Sequence, residues 1–162
     1  MADIHLRPAV PDDLSQIFQI DQLSSSLPWT ERSYHFELTQ NQAARVWVAV
    51  DETDRLIGFL VLWLIVDEAH IANIAVDPEN RRRGAARRLM NLGLTRAWAE
   101  GARTSFLEVR YGNRAARELY RSLGYQETGI RARYYRDTHE DAVLMTLETA
   151  QYADLVKQNE SI

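Results

Sequence analysis

The fold of this chain is decided by residues 76–88, which read VDPENRRRGAARR. An apolar run enters this segment, Pro78 ends that run as a strand, and Gly84 begins a helical pattern that continues to about Glu100. Five arginines flank the start of the predicted helix. Because unpaired N–H groups already make a helix N-terminus positive, each cation there costs roughly 0.3–1 kcal/mol. A bound anion reverses this penalty, so the segment predicts a strand, an anion-binding turn and a helix.

The residues of the turn limit which anion it could bind. Gly84 and the small Ala86 would let the backbone approach a phosphate closely. The segment lacks the Gly-Lys-Ser/Thr ending of a P-loop, and the strands before it do not form the chain-opening βαβ unit of a dinucleotide-binding fold. A pyrophosphate attached to something other than a dinucleotide fits better. The alternative interpretation is a solvated basic surface in which the glycine has no binding role.

The rest of the chain is predicted to form a mixed α/β fold. A short strand comes first, followed by two helices that should begin at Pro11 and after Thr30, then three strands in an antiparallel meander, then the helix that begins at Gly84. A strand at residues 106–110, a helix at 114–123 that Gly124 should end, and two closing strands at about 125–134 and 141–148 complete the order β-α-α-β-β-β-α-β-α-β-β. This order predicts a sheet of about seven strands that is not doubly wound. We expect residues 1–149 to form a single domain and residues 150–162 a C-terminal tail.

Composition excludes several classes of protein. The 162 residues carry a formal net charge of −4, which is unlike a dedicated nucleic-acid binder. Cysteine is absent, so the chain has no disulfide, no thiolate metal site and no cysteine nucleophile. The longest apolar run, residues 56–66, is shorter than the roughly 18 residues of a membrane span, and the first residues lack the pattern of a secretory signal. We expect a cytoplasmic protein that needs no metal and contacts neither membrane nor nucleic acid.

Two titratable side chains occupy unusual places in the pattern. Glu108 interrupts an otherwise apolar strand, so its carboxylate either faces solvent or lies in a cleft with a raised pKa. Tyr120 lies on the apolar side of a short helix, together with Ala116 and Leu123. It is therefore either a core tyrosine with a satisfied hydroxyl or a functional group. The residues alone leave both alternatives open.

The turn resembles the acetyl-CoA signature of the GNAT N-acetyltransferases. The pattern is Arg81-x-x-Gly84-x-Ala86 after a strand at residues 74–78. The resemblance implies a GNAT fold, whose central, mostly antiparallel sheet is splayed and is flanked by about four helices. It also implies that backbone N–H groups of the turn bind the pyrophosphate of acetyl-CoA and that the preceding strand pairs with its pantetheine arm. The residues implicated in coenzyme binding are Ile74, Ala75, Val76, Arg82, Arg83, Gly84, Ala85, Ala86 and Arg87.

A second motif resembles the catalytic part of the same family. Asn-x-x-Ala-x-x-Leu-Tyr-x-x-x-Gly-Tyr runs from Asn113 to Tyr125. The resemblance implies that Asn113 contacts the coenzyme, that Tyr120 protonates the departing thiolate, and that Glu108 is the general base, as in the RimI-like alanine acetyltransferases of ribosomal proteins. Such a base is needed because an ammonium has no lone pair with which to attack a thioester. His70 is a reserve base that would act through water, although a lone histidine on a strand is more often structural.

Three further segments resemble the RimI-like branch and bear on the acceptor. They are residues 27–30 (LPWT), residues 67–76, and the tyrosine pair with the run that follows it in residues 133–145. The resemblance implies that loop tyrosines close over the first residues of a peptide, which in this branch belongs to a ribosomal protein. The residues implicated in substrate binding are Trp29, Tyr134 and Tyr135.

The identity of the amine remains open at this stage. An α-amine, with a pKa of about 7.7–8.0, is easier to deprotonate than lysine, with a pKa of about 10.4, and this favours an N-terminus. The alternatives are a small amine such as a polyamine, an antibiotic or an amino acid, and a non-catalytic module that binds acetyl-CoA. Ala86 stands where a second glycine is commoner and Ala72 where leucine is usual, and these departures leave the exact peptide undecided.

Overall fold

The structure, a computed structural model, describes residues 3–160 as a mixed α/β protein. Within that range it contains seven strands and five α-helices. The strands are β1 (His5–Pro8), β2 (Ala44–Val50), β3 (Leu56–Ile65), β4 (Glu68–Val76), β5 (Thr104–Arg110), β6 (Gln126–Arg131) and β7 (Ala142–Leu147). The helices are α1 (Leu14–Ser24), α2 (Glu31–Thr39), α3 (Ala85–Ala99), α4 (Arg114–Leu123) and α5 (Thr149–Glu160).

The strands form one sheet in the order β1-β2-β3-β4-β5-β7-β6. Strands β1 and β2, β2 and β3, β5 and β7, and β6 and β7 are antiparallel, whereas β4 and β5 are parallel. The parallel pairing joins Glu68–His70 to Thr104–Phe106, which is a small part of either strand. The predicted mixed α/β class and the mostly antiparallel sheet with a weakly paired centre are confirmed.

The described chain divides into two compact units. The first unit contains the residues up to Trp63 together with Ala72–Gly93. The second unit contains Leu64–Ile71 and the residues from Leu94 onward. Each unit has its own packed interior and carries a different part of the predicted site.

Local signals in the sequence begin and end the elements where expected. Pro11 opens a single 3-10 turn that leads into α1. The hydroxyl of Thr30 accepts a hydrogen bond from the backbone N–H of Ser33 at 3.0 Å and so caps α2. Gly124 ends α4 in the left-handed conformation, with φ of 109°. These boundaries follow from residues within one or two turns of the chain.

The interior of the first unit contains a buried carboxylate. Asp21 on α1 is 1% exposed and accepts hydrogen bonds from the Tyr34 hydroxyl at 2.6 Å and from the backbone N–H of Trp29 at 2.9 Å. The Tyr34 oxygen in turn accepts a hydrogen bond from the side-chain amide of Asn73 on β4 at 2.8 Å. Burial, with the hydrogen bond to Asp21 and the charge of Asp21, raises the pKa of Tyr34 above its usual range. The apolar residues packed around this network are Ile17, Ile20, Val48, Val50, Leu56, Phe59 and Val61.

The second unit includes a helix where the sequence predicted a tail. Helix α5 buries Tyr152, Leu155 and Val156. The Tyr152 hydroxyl donates a hydrogen bond to the backbone carbonyl of Leu94 at 2.7 Å, and its ring lies 5.0 Å from that of Trp98. The expected division into a domain at residues 1–149 and a tail at 150–162 stays a prediction.

Strand β6 is shorter than predicted. The sequence predicted a strand up to about Tyr134, but β6 ends at Arg131. Arg133 adopts a left-handed conformation with φ of 52°, and its backbone N–H donates to the Asp141 carboxylate at 2.9 Å. Because this bond turns the chain away from the sheet, Tyr134 and Tyr135 lie in a loop.

No helix formed by residues 3–160 combines the length and the apolar character that crossing a membrane requires.

We expect Tyr34→Phe to lower the free energy of unfolding by about 1.5–3 kcal/mol, because Asp21 loses a donor that it cannot replace with water. Denaturant unfolding of the two proteins measures this difference. The matched control is Tyr111→Phe, since Tyr111 is 53% exposed and its substitution should change the stability by less than about 0.5 kcal/mol. Equal stability of Tyr34→Phe and the wild-type protein would show that the network contributes nothing.

Candidate functional site

The predicted anion-binding turn lies in the first unit and has an open backbone. Gly84 has φ of +81°, and a side-chain carbon built on it would meet no atom within 4 Å. Its carbonyl accepts the first hydrogen bond of α3, from the backbone N–H of Arg88 at 3.0 Å. The N–H groups of the first turn of α3 have no acceptor within the helix. The glycine is required for its conformation, and it leaves space beside the positive end of α3.

The arginines around this turn differ in their surroundings. Arg83 donates a hydrogen bond to the Asn80 side chain at 2.7 Å, and Arg88 donates to the backbone carbonyl of Ile4 at 2.6 Å. Arg82 and Arg87 are exposed, and Arg82 adopts a left-handed conformation with φ of 63°. A left-handed non-glycine residue costs of order 1–3 kcal/mol and is often found where a ligand is bound. The turn therefore combines guanidinium groups, backbone donors and a strained residue.

Strand β4, which precedes the turn, lies close to the backbone of β3. A side-chain carbon on Gly58 would lie 3.1 Å from the carbonyl oxygen of Ala75, so a larger residue would push β4 away by a few tenths of an ångström. The backbone N–H of Asp77 donates to the carbonyl of Ile57 at 2.8 Å. Ile74, Ala75 and Val76 are partly exposed at this end of β4. The predicted coenzyme-pairing residues thus form a firmly positioned strand end.

Trp29 is anchored to the same strand through the buried network. Its backbone donates to Asp21, whose other donor, the Tyr34 hydroxyl, is bonded to Asn73 next to Ile74. Its ring is half-buried and lies 6.3 Å from the ring of Trp63, in a stacked arrangement. Within the first unit, the structure therefore connects the predicted peptide-binding residue with the predicted coenzyme strand. Sequence reasoning did not assign a role to Asp21 or Tyr34.

The predicted base lies in the second unit, on the partly exposed face of β5. The alternate residues Ser105, Leu107 and Val109 are buried, whereas 30% of the Glu108 side chain is exposed. One carboxylate oxygen of Glu108 lies 3.4 Å from a guanidinium nitrogen of Arg131. Glu108 can therefore exchange a proton with a bound molecule or with water.

The two loop tyrosines lie beside this carboxylate. The hydrogen bond to Glu108 and its negative charge raise the pKa of Tyr134. Burial, with the charge of Glu108 adding to it, raises the pKa of Tyr135 to about 12 although Arg110 opposes the shift. The two rings meet edge to face with centroids 5.2 Å apart, and Tyr134 is 45% exposed. The structure thus brings three predicted site residues together in one cluster.

Tyr120 joins this cluster as a buried phenol. It is 6% exposed, and burial, with a contribution from Tyr135, raises its pKa to about 12. Its ring lies 5.9 Å from that of Tyr125. A phenol in this state keeps its proton at neutral pH and is available as a donor.

Asn113 and His70 have structural partners. The side-chain oxygen of Asn113 accepts a hydrogen bond from the backbone N–H of Ala116 at 3.2 Å, and it therefore caps α4. His70 lies 2.9 Å from a carboxylate oxygen of Glu68, and its ring lies 5.4 Å from that of Phe106. The roles predicted for these two residues stay predictions.

The cluster contains two arginines that sequence reasoning did not assign. Arg131 pairs with Glu108, and Arg110 stacks its guanidinium group 4.0 Å from the centre of the Tyr135 ring. Arg110 could have been found from spacing alone, because it follows Glu108 by two residues on a strand and must share its face. Arg131 could not, because its partner lies 23 positions earlier in the chain. Residues 3–160 contain no group of three or more His, Asp or Glu side chains that could hold a metal ion.

Comparison with known proteins identifies the group to which this arrangement belongs. Residues 14–125 match the model of the acetyltransferase (GNAT) family. A ribosomal protein bS18-alanine N-acetyltransferase of Salmonella typhimurium is 38% identical over 138 residues, which cover 83% of this chain and 90% of that protein.

Two solved structures share the fold. The crystal structure of the ribosomal-protein-S18-alanine N-acetyltransferase from Escherichia coli has a TM-score of 0.83 at 32% identity and covers 91% of this chain and 94% of its own. The structure of NAA60 from Arabidopsis thaliana in complex with acetyl-CoA has a TM-score of 0.81, covers 89% of this chain and 97% of its own, and is 20% identical, which supports the fold alone. The chain therefore belongs to the GNAT acetyltransferase family, and it aligns over most of its length with the alanine N-acetyltransferases of ribosomal protein bS18.

Proposed function

We propose that this protein transfers the acetyl group of acetyl-CoA directly to the α-amine at the N-terminus of a protein, and that this N-terminus is an alanine of a ribosomal protein. The observation that carries the proposal is the cluster of Glu108 with Tyr134, Tyr135 and Tyr120 in the second unit. It offers a proton acceptor, a proton donor and an aromatic loop. The alignment with alanine N-acetyltransferases supports the choice of acceptor.

The proposed coenzyme residues lie on the turn and strand of the first unit. The backbone N–H groups of residues 82–87 would bind the pyrophosphate, because the conformation of Gly84 leaves the positive start of α3 accessible. Arg82, Arg83 and Arg87 would add charge to this interaction. The partly exposed end of β4 at residues 74–76 would pair with the pantetheine arm. Asn113 would contact the coenzyme through the part of its amide that does not cap α4.

Glu108 and Tyr120 have the proposed proton-transfer roles. Glu108 takes a proton from the substrate ammonium, directly or through water, so that the nitrogen lone pair can form a bond to the acetyl carbonyl carbon. A backbone N–H that follows Ile74 would stabilise the oxyanion. When the carbon–sulfur bond breaks, Tyr120 donates its proton to the departing sulfur, and the second proton that the acetylated nitrogen loses returns to the Tyr120 oxygen, directly or through water. Because cysteine is absent, the transfer passes through no enzyme thioester.

The loop favours a peptide over a polycation. Tyr134 and Tyr135 present apolar rings with polar ends, which suit peptide backbone and small side chains. The pKa of an α-amine is also about 2.5 units lower than that of a lysine side chain, so the base removes its proton more easily. The ring of Trp29, whose backbone N–H is bonded to Asp21, would also contact the peptide.

A ribosomal substrate implies where in the cell the protein acts. We propose that the protein acts in the cytoplasm, where ribosomal proteins are made.

We also propose that residues 1–149 form the catalytic domain and that the segment 150–162, most of which is helix α5, stabilises the second unit through Tyr152.

The purified protein with acetyl-CoA should acetylate a peptide with an N-terminal alanine in preference to other acceptors, because a single partly exposed carboxylate is matched to an α-amine. The panel contains peptides that begin with Ala, Ser or Met, an N-terminally blocked peptide with an internal lysine, and spermidine. Mass spectrometry locates the added acetyl group. Preferential modification of lysine or spermidine would contradict the proposal, and acetyl-CoA binding without any transfer would favour the non-catalytic module.

Glu108→Gln and Tyr120→Phe should each lower kcat by about 10²–10⁴-fold while the affinity for acetyl-CoA changes little, because each removes a proton-transfer group and keeps the shape. Steady-state kinetics and calorimetry measure the two quantities. Glu118→Gln is the matched control, since Glu118 is an exposed glutamate on α4. Unchanged turnover in both variants would refute the assigned roles.

The wild-type rate should rise with pH as the substrate amine loses its proton and should not fall again below about pH 11. The pKa of Tyr120 is raised to about 12, so its protonated, donor form persists over the range in which an ordinary tyrosine would ionise. A pH profile of kcat/KM with an alanine peptide tests this expectation. A decline centred near pH 10 would show that the proton donor is an ordinary, exposed group.

Gly84→Ala should weaken acetyl-CoA binding by about 10-fold, because a side chain strains the left-handed residue and enters the open space beside α3. Gly101→Ala is the matched control, since Gly101 also has a positive φ, of +112°, and also has nothing within 4 Å of the added carbon. Calorimetry should find normal affinity in the control and weaker binding in Gly84→Ala. Equal affinities would place the pyrophosphate elsewhere.

A further inference from the structure

Arg110 lies on the same face of β5 as the proposed base. It follows Glu108 by two residues, and alternate residues of a strand project to the same side. Its side chain is 23% exposed, although Arg110 is the last residue of the strand. Because arginine is rarely buried without partners, this position calls for a set of specific contacts.

The guanidinium group of Arg110 contacts the tyrosine loop, which is the segment 132–141 between β6 and β7. The two terminal nitrogens of Arg110 donate to the two carboxylate oxygens of Asp137 at 2.9 and 3.0 Å, which is a bidentate pair. An oxygen of Glu140 lies 3.5 Å from the same guanidinium group. The face of the guanidinium group stacks over the ring of Tyr135, with its central carbon 4.0 Å from the ring centroid. The guanidinium group also donates to the Thr138 hydroxyl at 3.4 Å, so one side chain contacts four residues of the loop.

A second set of bonds closes the loop around this arginine. The other carboxylate oxygen of Glu140 accepts a hydrogen bond from the backbone N–H of Gly112 at 2.6 Å. A side-chain carbon at Gly112 would lie 2.6 Å from that same oxygen, so a larger residue there would displace the Glu140 carboxylate. The backbone N–H of Tyr135 donates to the carbonyl of Glu140 at 3.2 Å. Glu140 thus connects the C-terminal end of the loop to the turn after β5, and Arg110 contacts residues in the middle of the loop.

We infer that Arg110 is the positioning residue of the tyrosine loop, which it holds over Glu108 through its bidentate bond to Asp137 and its stacking on Tyr135, so that it sets the affinity for the acceptor peptide. Arg110 touches neither the amine nor the coenzyme in this inference. Arg110 affects the substrate only through Tyr134 and Tyr135, and Glu108 contributes to raising the pKa of both tyrosines. Because a displacement of about 1 Å can lower a rate by about 10²-fold, a loosened loop should be visible in peptide kinetics.

Arg110→Met tests the inference, which rests on the proposed function. It should raise the KM for an alanine peptide by about 10- to 100-fold with a smaller change in kcat, and it should leave the affinity for acetyl-CoA near the wild-type value. Asp137→Asn should act in the same direction, and Arg110→Lys, which keeps the charge without the planar fork, should restore part of the peptide affinity. The double variant Arg110→Met with Asp137→Asn should be no worse than Arg110→Met alone, because both remove one interaction.

A readout independent of activity is the exposure of the loop to trypsin. Cleavage after Arg133, followed by mass spectrometry of the fragments, should be at least about 10-fold faster in Arg110→Met and Asp137→Asn than in the wild-type protein. Arg103→Met is the matched control, because Arg103 also stacks on an aromatic ring, at 4.1 Å from the centroid of Trp98, but contacts no residue of this loop in the bonds that it forms with Trp98 and Ala102. It should change neither the cleavage rate after Arg133 nor the peptide KM.

The outcomes separate this inference from the proposed function. Wild-type peptide KM and wild-type cleavage in Arg110→Met would overturn the inference, as would an equal loss of peptide and acetyl-CoA affinity, which indicates a general structural role. If Arg110→Met does not fold, Asp137→Asn decides by the same two measurements. If the wild-type protein acetylates no N-terminus, the proposed function fails, and the trypsin rates still decide whether Arg110 holds the loop.

Discussion

The carboxylate of Asp21 is buried in the apolar core of the first unit, and its need for hydrogen-bond donors organises that unit. A carboxylate in such surroundings is tolerated only when protein donors replace the water that it loses. The Tyr34 hydroxyl and the backbone N–H of Trp29 are those donors, and Tyr34 accepts a bond from Asn73 in turn. One buried charge therefore determines where the Trp29 segment and the end of β4 lie relative to each other.

The second unit uses its charges in a different way. Glu108 remains 30% exposed, as a base must be if it is to reach a substrate proton. Tyr120 is buried and keeps its proton, with a pKa raised to about 12. Under the proposed function, the more exposed Glu108 accepts a proton and the buried Tyr120 donates one. The guanidinium group of Arg110 holds the loop beside them without entering the chemistry in our proposal.

Correct predictions from the sequence concern features that depend on near neighbours in the chain. Thr30 caps α2 because its hydroxyl reaches an N–H three residues away, and Gly124 ends α4 because glycine tolerates a positive φ. Gly84 was singled out because glycine lets the backbone approach a phosphate closely, and its binding role stays a prediction. The prediction for β6 was wrong at its C-terminal end, because Arg133 bonds to Asp141, eight positions away, and local β-propensity does not register that partner. The sequence predicted only a tail where helix α5 lies, because the burial of that helix depends on Leu94 and Trp98.

The fold class and the family could be predicted from the amino-acid sequence, and an anion-binding turn could be proposed, because glycines, caps, apolar periodicity and motif spacing act over short stretches of chain. The tertiary structure alone decided which side chains meet: Asp21 with Tyr34 and Asn73, Glu108 with Arg131, and Arg110 with Asp137. Each of these pairs joins residues at least 13 positions apart. Their interaction energies depend on distances that exist only after the chain has folded, and no local pattern encodes them.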